Sequence, residues 1–177
     1  MLVDEAVWPW RGARWAHLVS DESVDELHAF ARRLGLRRMA FQGDHYDVPT
    51  EVRERALTLG AEAVRGRDLV RRLRAAGLRL AAADRPGPWE EIGRWSAMGV
   101  RPDVGSSAPG ALVEALAEVD ASWDSAEAVV FQRRIEWALV VEDDSGVILA
   151  AAPPVGVEVR CHDDRIVELL VPRPGVV

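Results

Sequence analysis

A unit made of a helix, a glycine and a short apolar segment occurs three times in the first half of this chain, as RRLG-LRRMAF, LTLG-AEAV and RAAG-LRLAA. Helices of about ten residues alternating with single short strands argue for parallel pairing. A strand running in the same direction as its neighbour must be returned by a crossover, and that crossover packs on the sheet face. The expectation for residues 1–83 is therefore an α/β unit with a small, mostly parallel sheet.

The individual elements follow from local chemistry. Met1 to Asp4 has the pattern of a strand that carries a carboxylate to its end, and Val7 to Ala16, with three Trp, a Pro and a Gly, reads as a loop. Ser23 and Glu26 form a capping box, Val24, Leu27, Ala31 and Leu34 recur at helical spacing, and Gly35 supplies a left-handed cap. Leu36 to Phe41 reads as a strand, and Gly43 to Pro49 as a loop carrying His45, Tyr46 and Asp47. Thr50 to Leu59 and Arg67 to Ala76 are the next helices, closed by Gly60 and Gly77; Glu62 to Val64 and Leu78 to Ala82 are the strands after them.

Residues 84–109 change character, with ADRPGPW, GVRPDVG and SSAPG, and are expected to form a Pro/Gly-rich linker interrupted by a short helix through Trp89, Ile92 and Trp95. Residues 110–177 then read as a helix followed by an antiparallel β-meander, since AVVFQ, WALVVE, VILAAA, VEVRC and RIVELLV are separated by short turn signals.

Charge and composition exclude several classes. The chain has no Lys, and residues 1–79 hold 14 Arg against 12 acids, whereas residues 80–177 hold 8 against 17, within a net charge of −7. That balance disfavours general adhesion to nucleic acid or an anionic membrane, while leaving room for a local basic surface on the first half. No apolar run approaches the ~20 residues of a membrane span, and the N-terminus lacks the basic start of a signal peptide. Cys161 is a lone cysteine, expected to be a buried small apolar residue. Together these point to a cytoplasmic protein.

Several motifs recur in a recognisable order: V-D, Trp8 with R-G nearby, W-A-H-L (Trp15 to Leu18), Asp21, E-L-H-A-F-A (Glu26 to Ala31), L-G, H-Y-D-V (His45 to Val48), Ala56 to Ala61, and R-x-L-V (Arg67 to Val70). Over residues 2–79 the chain thereby resembles a bacterial and phage family known only as a domain of unknown function. The resemblance implies domain limits and marks residues, and it implies no reaction.

The candidate chemistry is that of imidazole and carboxylate. His17 and Asp21 flank the start of the first helix, His28 lies on it, and Asp44, His45 and Asp47 sit in the loop after the next strand. In a doubly wound sheet such loops line the ligand crevice, and Asp4 arrives at the same edge. The expectation is a divalent metal held by His17, Asp21, His45 and Asp47, with Asp4, His17, His45 and Asp47 as the catalytic group. Trp15, Tyr46 and Arg67 are the candidates for contacting a nucleotide or nucleic acid, the first two by stacking and Arg67 from a helix N-terminus. This gives a metal-dependent hydrolase or phosphoesterase. The alternative from the same residues is a non-catalytic interaction or regulatory protein, in which caps and packing account for the polar groups. There the acidic C-terminal β part and exposed Trp residues would dock a protein partner or a second copy. No spacing matches a strong metal motif such as H-E-x-x-H, and no P-loop, G-x-S-x-G or G-x-G-x-x-G is present.

Overall fold

The computed structural model describes residues 1–175 and divides into two compact units, Met1–Arg85 and Pro86–Val177. In the first, β1 (Leu2–Val3), β2 (Trp8–Trp10) and β3 (Ala13–Val19) precede α1 (Val24–Arg33); β4 (Tyr46–Pro49) leads directly into α2 (Thr50–Thr58), and β5 (Glu62–Ala63) into α3 (Gly66–Ala75).

The sheet is mixed rather than mostly parallel. Among the described residues only β1 and β5 pair in parallel; β1, β2 and β4 each pair antiparallel to β3. Two local features explain the difference. The WPWRGARW stretch expected to be a loop is a hairpin: Arg11 (φ 48°) and Gly12 (φ 77°) are both left-handed, the signature of a two-residue turn that matches strand twist. Pro9 is tolerated because its strand lies at the hairpin edge, where a missing donor costs little. The segments expected to be strands after the first and third helices are not strands. Arg38–Ala40 is a 3-10 turn, and Leu78–Ala82 runs irregularly into a second such turn at Ala82–Asp84.

Alternation along β1 and β3 creates two faces. Val3, Ala16 and Leu18 pack with Val48 from β4, Leu27, Phe30 and Ala31 from α1, and Ala56 from α2, all nearly inaccessible. Leu2 and Val19 pack on the opposite face against Leu69 and Leu73 of α3. Burying each of the Val, Leu and Phe side chains contributes about 1.5–3 kcal/mol. β1 is thus fixed in register by both layers, and the residue after it, Asp4, is delivered to the α3 face.

The start of α1 departs from the expected capping box. Ser23 Oγ accepts the Glu26 N–H at 3.0 Å, but the Glu26 carboxylate accepts the Ser20 hydroxyl, and Ser20 Oγ in turn accepts the Ser23 N–H at 3.1 Å. At the other end Gly35 (φ 72°) closes the helix in the left-handed conformation.

In the second unit, β6 (Glu90–Ser96) pairs along β8 (Glu127–Gln132), so the expected linker contributes a strand and its expected helix does not form. α4 (Gly110–Ala117) is followed by β7 (Val119–Ala121), with β9 (Glu136–Glu142), β10 (Val147–Leu149), β11 (Glu158–His162) and β12 (Ile166–Pro172) after β8. The five-stranded sheet is antiparallel, in the order β11-β12-β9-β8-β6, and β10 leaves it to pair with β7. The meander is therefore broken, because β12 inserts between β9 and β11. Leu112, Ala115 and Leu116 of α4 cover a core with Val130, Leu139, Val141, Val167 and Leu169. Cys161 is exposed rather than buried.

Candidate functional site

The polar group expected at a parallel-sheet rim forms instead across an antiparallel pair. His17 on β3 lies directly opposite Asp47 on β4, and strand alternation points both to the α3 face. His45, two residues before Asp47, falls on the same side. One donor atom each from His17, His45 and Asp47 lie within 4.8 Å of one another.

Both imidazoles are held from behind. Asp4 accepts the His17 backbone N–H through Oδ1 at 2.7 Å, and its Oδ2 lies 2.8 Å from His17 Nδ1. Asp4 itself is 5% exposed, and its carbonyl accepts Arg53 Nε at 2.6 Å. Asp44 Oδ1 lies 2.6 Å from His45 Nδ1, while its Oδ2 accepts Leu80 N–H at 3.0 Å and Arg79 at 3.1 Å. With Nδ1 engaged on each ring, Nε2 is the atom each has left to offer. The rings are edge-to-face with centroids 5.2 Å apart, and Trp8 lies 4.4 Å from His17 on its other side.

His45 Nε2 is 3.4 Å from Asp47 Oδ1 without hydrogen-bond geometry, and that oxygen, although buried, has no hydrogen-bond partner among the described residues. Donors on a tetrahedral shell with ~2.1 Å bonds are ~3.4 Å apart, the separation of His45 Nε2 and Asp47 Oδ1. Burial of His45 opposes its protonation, but the hydrogen bond to Asp44 and the charges of Asp44 and Asp47 outweigh this and hold its pKa above the ordinary value. Burial likewise works against the Asp44 carboxylate, and the contacts of His45, Leu80 and Arg79 prevail, holding its pKa below the usual range.

A cleft of about 260 Å³ opens beside the cluster, bordered by Asp4, His17, His45, Gly66 and Arg79 on its polar side and by Val19, Leu69 and Val70 on its apolar side. Gly66 stands where a Cβ would come within 3.2 Å of Asp4 Oδ2. This is a reason for glycine there that does not depend on backbone conformation.

Other expected site residues lie elsewhere. Asp21 is bound by Arg72, with Oδ2 2.8 Å from Nε, and Arg72 also reaches Glu62 at 2.6 Å; Asp21 is not part of the cluster. His28 meets the Tyr46 hydroxyl at 2.9 Å. Tyr46 is 1% exposed and has no open face on which a base could stack. Arg67 is exposed in the first turn of α3, and Trp15 is half-buried, its Nε1 donating to the Trp10 carbonyl at 2.9 Å. Asp44, which the sequence places in the same loop without a role of its own, orients His45, and its adjacency to that histidine is the signal for it. Arg79, expected in a strand, lies in an irregular segment and reaches Asp44.

Fold and site together define a mixed α/β unit with a histidine-aspartate cluster on one sheet face, followed by a unit with an antiparallel sheet. Residues 1–76 match the model of a family described as a protein of unknown function (DUF4031), which covers most of the first unit. No curated protein and no solved structure matches the chain. Among the described residues, no helix is long and apolar enough to cross a membrane.

Proposed function

We propose that the N-terminal unit is a metal-dependent phosphoesterase acting on a nucleotide or nucleic acid. The observation that carries this reading is the pair of carboxylate-imidazole couples, Asp4–His17 and Asp44–His45, set side by side next to Asp47. Metal-binding imidazoles characteristically donate their second ring N–H to a carboxylate, which fixes the tautomer and strengthens the ligand. Two imidazoles and one carboxylate suit zinc, and a set of only three protein ligands leaves a coordination position open, as catalytic sites require. A bound cation there would bring the pKa of a coordinated water to near neutrality.

The protein's own groups account for the remainder. Asp4 and Asp44 engage Nδ1 of each ring, which leaves Nε2 as the atom to ligate a cation. Arg79 and Gly66 at the first turn of α3 border the cleft and suit the oxygens of a phosphate ester, by charge-assisted hydrogen bonds and by the helix N-terminus. Val19, Leu69 and Val70 form a dry wall that would strengthen those interactions by excluding water.

The test is hydrolysis of bis(p-nitrophenyl) phosphate and p-nitrophenyl phosphate by metal-free protein resupplied with zinc or manganese. Metal-dependent turnover lost in His17→Ala and His45→Ala is the expected result. Absence of turnover on both ester classes, with metal shown to be bound, would overturn the reading.

A further inference from the structure

The β2–β3 hairpin leads from solvent to the histidine cluster, and it is lined with rings. Trp8 pairs with Trp15 and Trp10 with Ala13 across the hairpin, so strand alternation puts Trp8, Trp10, Trp15 and His17 on a single face. Trp10 meets Trp15 edge-on at 5.1 Å, Trp8 lies 4.4 Å from His17, and His17 lies 5.2 Å from His45. Of the seven tryptophans Trp10 alone is exposed, at 51%, and Val7 beside the row is 61% exposed. Trp15 is pinned by its bond to the Trp10 carbonyl, so the row is preorganised rather than loose.

One cation stacks on the row and a second is near it. Arg11, in the turn, lies 4.5 Å over the Trp10 ring; Arg14, which pairs with Pro9 and so springs from the other face, reaches back to the Val7 carbonyl at 3.4 Å; both are exposed, and neither has a carboxylate partner among the described residues. An exposed ring continued by half-buried ones, with arginines beside it, is an arrangement by which proteins hold unpaired bases and their phosphates, the stacking being indifferent to sequence. From Ala13 to His17 the row spans four residues, about 13 Å at ~3.3 Å per residue. Stacked nucleotides repeat at ~3.4 Å along a strand, so this length suits several bases and exceeds what a mononucleotide would use.

We infer that the WPWRGARW hairpin is a stacking platform for single-stranded nucleic acid, delivering an oligonucleotide to the histidine cluster. This deepens the phosphoesterase reading and takes its orientation from it, but binding to the platform requires no metal.

The experiment measures fluorescence anisotropy of a labelled ten-nucleotide oligothymidylate with the full chain in EDTA, alongside zinc titration of the same proteins. Binding that quenches tryptophan emission is expected. Trp10→Ala should weaken it about tenfold, Arg11→Ala should lower the salt dependence by roughly one phosphate contact, and zinc binding should be unchanged in both. Thymidine monophosphate should compete poorly. Zinc binding with no oligonucleotide binding overturns the platform and leaves the metal site; oligonucleotide binding lost in Trp10→Ala without any zinc binding supports the platform and removes the metal site. An oligonucleotide affinity indifferent to Trp10→Ala and Arg11→Ala, or a concentration-dependent self-association abolished by Trp10→Ala in a protein that binds no oligonucleotide, overturns the inference.

Discussion

Asp4 grips His17 twice, through the backbone N–H at 2.7 Å and through Nδ1 at 2.8 Å, so one carboxylate fixes both the strand register and the ring at the centre of the site. Asp4→Asn preserves the shape and the bond from the backbone but removes the charge that selects the tautomer. Zinc affinity is expected to fall 10–100-fold, the usual cost of losing such an orienting partner, while the far-ultraviolet circular dichroism stays that of the wild type. A competition titration with a chelating dye measures it.

Gly66→Ala tests the same grip from the other side. Alanine is the better helix former by ~1 kcal/mol, but its Cβ would press within 3.2 Å of Asp4 Oδ2. A few-fold loss of zinc affinity without loss of α3 is the expected outcome. An affinity equal to wild type would show that Asp4 does not need its observed position.

Asp21 was expected among the metal ligands and is instead the partner of Arg72. Burial raises its pKa, but the hydrogen bond and charge of Arg72 outweigh burial and hold it below 3.8. A lowered carboxylate pKa contributes stability that is present above the unfolded value and lost as pH falls through the folded one. Asp21→Asn is therefore expected to lower the melting temperature at pH 6–7 and to converge on wild type as pH drops below about 4, with zinc binding untouched throughout. Reduced zinc affinity in this variant would return Asp21 to the site.

The hairpin turn rests on Gly12 at φ 77°. A side chain there costs about 1–2 kcal/mol, so Gly12→Val is expected to shift the denaturation midpoint downward and to weaken oligonucleotide binding with the platform it supports. Equilibrium urea unfolding measures the first effect and anisotropy the second.

What the sequence made legible was mostly local. Ser23 and Gly35 mark the ends of α1 because capping depends on neighbours a few residues away, and Gly60 and Gly77 follow their helices for the same reason. The strands were harder, since a run such as Leu36–Phe41 or Leu78–Ala82 becomes a strand only if another strand pairs with it. The first forms only a single bridge, from Phe41 to Tyr46, and in the second Leu80 gives its N–H to the Asp44 carboxylate instead. Pro9 and Gly12 concealed the alternation of Trp8, Trp10, Ala13, Trp15 and His17, which in retrospect is that of a hairpin face. His17, His45, Asp47 and Asp4 do come together, but for a different reason than the expected one. They meet through the antiparallel register of β3 and β4, not at the ends of parallel strands. Cys161 was placed inside because cysteine is usually buried, but it lies on β11, the edge strand of its sheet.

Calorimetric titration of zinc into metal-free protein, repeated with His17→Ala, His45→Ala and Asp47→Ala, addresses the central claim most directly. One zinc per chain is predicted for wild type, with a rise in melting temperature reflecting about 2.7 kcal/mol at a free zinc concentration one hundred times Kd, and each substitution should abolish or severely weaken both signals. No heat and no thermal shift in the wild type with zinc, manganese or magnesium, or a shift that survives all three substitutions, would contradict the account.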